Sequence, residues 1–390
     1  MDLHSIQTKH AQLENTLHDV DWFRKLQERG LQSFESSGFP TTRQEQWKYT
    51  STKALQKLDF EIQGQTSVDA SFIENQSLAT MAAMELVFVN GTYRADLSRG
   101  DEELGLTVGS LGEAIRRHPE LMKTHLGSLA NFETTPSWSF TALNTAFVTD
   151  GAVVVVPRAA ASAGLIHVLH IQDASQGVTS CHPRTLIVLE ANSSASVMQS
   201  FVSSASKPAF SNAVTEISIG DGSRLDHVVW GGESEQSYHV GRTEISVGRD
   251  ARYVGTSVWT GGHWSRLDTD VRFSAPGAEC TLNGLYIGGG KQHIDHHTCI
   301  DHAVPHCDSR QLYKGILGGA SKAIFNGRIH IHTDAQRSDS GMSNRNLLLT
   351  DKASVNTKPE LEIYADDVKA AHGTTVGQLD ENSIYYLRAR

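Results

Sequence analysis

The densest concentration of chemically able side chains is the stretch His293 to Cys307, HIDHHTCIDHAVPHC, which holds five histidines, two cysteines and two aspartates in fifteen residues. Imidazole, thiolate and carboxylate are the donors that zinc and iron take, so a metal centre is the first chemistry to consider. His293, Asp295 and His296 spell H-x-D-H, the latter half of the H-x-H-x-D-H run of one class of metal-dependent hydrolases. Lys291 stands where the first histidine of that run belongs, and Thr298 to Asp301 reads as a strand where the motif needs a helix. Strand alternation also sends His296 and His297 to opposite faces, so the two cannot chelate together. A metal-dependent hydrolase centred on His293–His297 is therefore the alternative reading, and polar residues lining the turns and faces of a strand are the simpler one. A second run, Gly327 to Asp334, puts His330, His332 and Asp334 on one strand face. Two such histidines can bind metal, but their alternation with Ile329 and Ile331 is also what a half-exposed strand shows.

Other chemistries are excluded by spacing. Gly288-Gly289-Gly290-Lys291 is not a phosphate loop, because Leu285 occupies the first glycine position and Gln292 replaces Ser or Thr. There is no G-x-S-x-G elbow and no C-x-x-C pair. Cys181, Cys280, Cys299 and Cys307 are too far apart to hold an iron–sulfur cluster alone, so any contact with iron or sulfur requires a site shared with a partner. Four thiols are too few for a disulfide scaffold, and Met1 to Asp21 lacks an apolar export stretch, which together point to a cytoplasmic chain. With 44 acidic against 34 basic residues the net charge is -10, which argues against gripping nucleic acid or an anionic membrane. No apolar run approaches the roughly 20 residues that cross a bilayer.

The elements that would position these side chains divide at about residue 150. Residues 1–150 read as a mostly helical, mixed cap. Leu13, Leu17, Phe23, Leu26 and Phe34 fall near helical spacing, and Gly38 before Phe39-Pro40 predicts the stop. Thr42 with Glu45, and Ser110 with Glu113, have capping-box spacing. Glu85 to Val89 reads as a short strand running into Asn90-Gly91, a strong hairpin dipeptide. From about Ala152 short Val-, Ile-, Thr- and Ser-rich runs alternate with polar turns, and no helix is expected for some two hundred residues. One unit recurs: EANSSASV at Glu190, IGDGSRLD at Ile219, VGRDARYV at Val247 and SAPGAECT at Ser274. The small residues after its turn, Ala195, Ser223, Ala251 and Ala278, are 28, 28 and 27 residues apart, and LTDKASVN from Leu349 is a looser copy. So even a step predicts stacked coils of two strands each, a mainly β chain with a parallel β-helix over 151–357 and a short C-terminal segment over 358–390. Evenly spaced hairpins of a β-sandwich are the alternative.

The C-terminal residues carry a resemblance. PELEIYADDVKAAHGTTVGQLDENSIYYLRAR, Pro359 to Arg390, is similar to the ending of the SufB/SufD family, LEIYADDVKCSHG followed by TVG and an LD…YL-R pair. DHHTCIDHAVPHCDSRQLYKGIL and AIFNGRIHIHTDAQRSDSGMSNRNLLL resemble the same family, and PTTRQEQWKYT, Pro40 to Thr50, is similar to its SufD branch rather than its SufB branch. The resemblance implies a right-handed parallel β-helix acting as a non-catalytic scaffold in a cytoplasmic complex with SufB and the ATPase SufC, which assembles iron–sulfur clusters. It implies pairing with SufB at the C-terminal end of the β-helix, and leaves open whether the chain pairs with itself as a homodimer where SufB is absent. His372 matches the family histidine at that interface, a ligand for iron or a nascent cluster beside a SufB cysteine. The family cysteine two residues earlier is Ala370 here, so the thiolates would come from SufB. Reduced flavin would be an electron source for the assembled complex. The family pattern continues past the position of Arg390 into a glycine and a helical tail carrying most of the SufC-binding surface, so residues 358–390 are expected to be a shortened version of that end.

Overall fold

The computed structural model describes residues 2–390 apart from 14–16, 18, 65, 101–104, 133–137 and 205. From Gly151 onward, successive strands are dealt alternately into two parallel sheets, except that Thr179–Cys181 and Arg184–Leu189 both fall in the first. The first sheet takes Gly151–Val156, Arg184–Leu189, Ala209–Ile219, Ser237–Val247, Trp264–Phe273, His293–His302, Lys322–Ile331 and Ser354–Ile363. The second takes Ala161–Asp173, Ser194–Ser204, Arg224–Gly232, Arg252–Trp259, Glu279–Gly288, Asp308–Leu317, Asp339–Leu348 and Lys369–Gln378. The result is a parallel β-solenoid of about eight turns, so the coiled reading holds and the sandwich does not.

Its repeat is the one read from the sequence. Arg224 lies opposite Arg252 and Arg252 opposite Glu279, 28 and 27 residues apart. The first step has a different phase, because Leu225 pairs with Ala195 and Arg224 with Ser194, 30 residues apart. The small residue equivalent to Ser223 is therefore Ser193, not Ala195. Ser193, Ser223, Ala251, Ala278 and Cys307 stack at the corner leading into the second sheet, and each carbonyl accepts an N–H from the next coil at 2.8–3.1 Å. All five are buried, since a larger side chain would not fit inside so tight a bend. The residue before each, Asn192, Gly222, Asp250, Gly277 and His306, has a positive φ between 51° and 79°. That left-handed conformation costs Gly nothing and Asn or Asp little, which is why those types recur there. LTDKASVN belongs to the opposite corner, where Ser354 N–H donates to the Ser321 carbonyl before the first sheet.

The helical region covers the outer face of the early coils. Helices Asp21–Ser37 and Ser139–Phe147 pack on each other, and their apolar faces join Val153, Val155, Leu186, Val188 and Phe210, which point outward from the first sheet. Gly38, at φ +62°, ends the first of these helices as expected. Leu13 and Leu17 are buried but lie between helices Leu3–Ala11 and Asp21–Ser37, so the apolar run is interrupted. Ser110 caps helix Leu111–Arg117 by accepting the Glu113 N–H at 3.3 Å. Thr42 caps nothing comparable: the chain makes only a 3-10 turn, Glu45–Trp47, entered from Gln44.

Residues before 150 also begin the solenoid. Strand Ala82–Val89 pairs in parallel with Ala161–Asp173 and turns through Asn90-Gly91, both at positive φ, into Thr92–Tyr93. Thr107–Ser110 pairs antiparallel with Gly151–Val156. Among the described residues no helix lies between Phe147 and Glu381, and none is long and apolar enough to cross a membrane.

Candidate functional site

The histidine-rich strand His293–His302 is in the first sheet, and its side chains divide as strand alternation requires. His296 and His302 point into the solenoid, where His296 stacks on Tyr286 with ring centroids 5.3 Å apart and His302 bonds Ser309 Oγ at 2.9 Å. Burial pushes both imidazoles down to about 4, so they are neutral packing groups. His293, Asp295, His297, Cys299 and Asp301 point outward. His306 and Cys307 are corner residues, one supplying the left-handed turn and the other the buried small side chain.

What meets the outward face is the segment Pro40–Thr50, laid across it as a strap. Thr50 Oγ1 donates to Asp295 Oδ2 and lies 3.0 Å from His293 Nε2. Since that hydroxyl has one proton, His293 must supply the other, which fixes its neutral Nε2–H form, and burial holds its pKa at about 4. Arg266 places its guanidinium 3.9 Å over the Trp47 ring, donates to the Gln46 carbonyl and lies 3.3 Å from Asp295 Oδ2. Lys322 donates to the Tyr49 carbonyl at 3.2 Å, and Lys358 reaches Glu45 at 2.8 Å. Burial alone would raise the Asp295 carboxyl. The charges of His297 and Arg266, with hydrogen bonds from His297 and Thr50, outweigh it and hold the carboxyl well below the usual range. Asp295 is thus already neutralised by a guanidinium, and His293 and His296 face opposite ways. The structure does not bring His293, Asp295 and His296 together as metal ligands. Beside the strap remains a polar cleft of about 300 Å³, lined by Glu45, Tyr49, His297, Asn326, Asn356 and Lys358.

Of the second run, His330 and His332 do share the outer face, while Asp334 is not part of their group. The carboxylate that joins them is Asp301 of the neighbouring strand, a register neighbour of His330. Sequence spacing could not find it, because only the ladder brings a residue 29 positions upstream alongside.

His372 lies on Lys369–Gln378, the edge strand of the second sheet. It sits opposite Met342, a buried inward-facing residue, so its imidazole stands at the open mouth between the sheets and is exposed. Lys369 N–H donates back to Ser338 of the preceding coil. By the alternation of a parallel ladder, the backbone groups of Ala370, His372, Thr374 and Val376 therefore face the open rim. The other sheet ends likewise on Ser354–Ile363. Ile363, Tyr364 and Val376 are exposed on or beside these last strands, and Leu379, Tyr385 and Leu387, exposed too, follow them in the chain, the last two on helix Glu381–Ala389.

Residues 5–168 match the family described as SufBD protein N-terminal region, and residues 170–390 match the SufBD core domain of SUF-system FeS cluster assembly. The chain is 32% identical over 360 residues to an iron–sulfur cluster assembly SufBD family protein of Synechocystis, an alignment covering 90% of this chain and 79% of the other. It is 31% identical over 364 residues to the iron–sulfur cluster assembly protein SufD of Escherichia coli, covering 92% and 82%. To SufD of Bacillus subtilis it is 25% identical over 300 residues, covering 75% and 67%. With both halves of the chain matched and the C-terminal motif in place at the open coil, this protein belongs to the SufB/SufD family of iron–sulfur cluster assembly proteins.

Proposed function

We propose that the chain is a SufD-like, non-catalytic scaffold subunit of a cytoplasmic SufB–SufC–SufD complex, and that SufB completes its last coil. The observation that carries this reading is the bare rim at Lys369–Gln378, where no further strand among the described residues pairs and Val376 is exposed. An edge strand in that state is a template for another chain's strand. His372 then offers an imidazole at the seam to iron or a nascent cluster, the cargo of the complex, with thiolates supplied by SufB because Ala370 brings none. Imidazole binds iron and releases it more readily than thiolate, which suits a site that must pass its cargo on. ATP hydrolysis is the work of SufC. Electron delivery by reduced flavin is assigned to the assembled complex. Without SufB, the same rim pairs two copies of this chain.

Co-expression with SufB and SufC tests both parts. Thr374→Pro removes one rim-facing N–H while leaving the internal ladder intact, so it should abolish SufB capture without lowering the melting temperature. His372→Ala should leave the complex intact and lower its reconstituted cluster content. Undiminished SufB capture by Thr374→Pro would refute the pairing, and undiminished cluster content would remove the ligand.

A further inference from the structure

Asp301, His330 and His332 stand on the outer face of the first sheet, away from His372. Their ligand atoms lie within 4.8 Å of one another. Asp301 Oδ1 is 2.6 Å from His332 Nε2 and 3.3 Å from His330 Nδ1, and the two imidazole centroids are 4.1 Å apart. Metal bonds of about 2.0–2.2 Å in a tetrahedral array set donor atoms roughly 3.4 Å apart, so the cluster needs only small side-chain rotations to close on an ion. We infer that these three residues form a binding site for one first-row divalent metal ion, with its remaining coordination positions open to solvent.

The fold supplies the geometry. His330 is on the strand and His332 just past its end, where its N–H still donates to the His302 carbonyl at 3.0 Å, so the two share a face, and the parallel register sets Asp301 beside His330. Two imidazoles and one carboxylate with vacant positions is the donor set of open Fe(II)-type sites, and it also accepts Co(II) and Zn(II). The three side chains are 41% exposed or less, which lets an ion enter while packing limits their motion. The neighbours leave this donor set to itself. Arg272 approaches the other carboxylate oxygen, Oδ2, at 3.7 Å. Arg328 stands 3.4 Å from Cys299 Sγ and 3.7 Å from Glu362, which keeps that thiol and that carboxylate out of the site. The His330 and Tyr364 rings meet near-perpendicular with centroids 5.7 Å apart, so Tyr364 forms a wall on that side.

Anaerobic titration of the chelator-stripped full chain with Co2+, read by its visible d–d bands and by calorimetry, tests the site. One Co2+ per chain is expected, and His372→Ala should bind it unchanged. His330→Ala and His332→Ala should each weaken binding by at least about tenfold, the lower end of what even outer-shell partners contribute. Asp301→Asn, nearly isosteric and so little disturbing to the strand, should do the same. Circular dichroism melting of each variant confirms that the fold persists. The inference is overturned if the parent shows no Co2+ bands, if the His330/His332 double variant binds as tightly as the parent, or if His372→Ala alone abolishes binding.

Discussion

Glu216 shows how much one carboxylate organises at the helix–solenoid junction. It is fully buried, accepts N–H groups from Gly127, Leu129 and Ala130, and takes a two-pronged contact from Arg184 at 2.6 and 3.0 Å. Removing one member of such a pair strands the other without solvent, so Glu216→Ala should cost about 3–5 kcal/mol in urea unfolding. A loss below 1 kcal/mol would show that Arg184 finds another partner. The same scale explains the histidine cluster. Its composition was legible as metal chemistry, yet His306 and Cys307 serve a corner, His296 and His302 the interior, and Asp295 a guanidinium. Residue type alone could not separate these fates, because they depend on which face and which coil each residue occupies. His330 and His332 were legible as a pair by their two-residue spacing, whereas their third member required the ladder.

At the scale of elements, the coil length was legible and its phase was not. SSASV offers four consecutive small residues, so smallness did not distinguish Ser193 from Ala195. The turn residue does: Asn192, Gly222, Asp250 and Gly277 are the types that accept positive φ, and counting from them recovers the observed ladder. Helix Asp21–Ser37 was legible by its apolar spacing, but its docking on Ser139–Phe147 depends on Gly30, which spacing does not reveal. A Cβ there would lie 2.8 Å from the Ala142 carbonyl oxygen and the Ala146 nitrogen of the opposing helix. Backbone cannot step aside as a side chain can, so Gly30→Ala should destabilise by about 1–3 kcal/mol despite the better helix propensity of alanine. An unchanged or raised midpoint in chemical unfolding would contradict the close approach.

The whole molecule is held by an interior unusually rich in neutral imidazole. Burial holds His170 and His182 at about 3, and His227, His293, His296 and His302 at about 4. In the unfolded chain each takes a proton near pH 6.5, while the native state refuses it until pH 4 or below. Stability is therefore full above about pH 6.5 and falls as pH drops toward 4, each group contributing up to about 1.4 kcal/mol per pH unit in that window. Unfolding free energies at pH 7.5 and pH 5 should differ by several kcal/mol in favour of the former, and equal values would show that the imidazoles are not withheld from solvent. The strap of residues 40–50 has a consequence for biosynthesis. Its anchors Lys322 and Lys358 lie 273 and 313 residues downstream of Tyr49 and Glu45. A nascent chain can wind each coil as it leaves the ribosome, but that early segment must wait until residue 358 has emerged. Its docking is then a late check that the rod has been built to length.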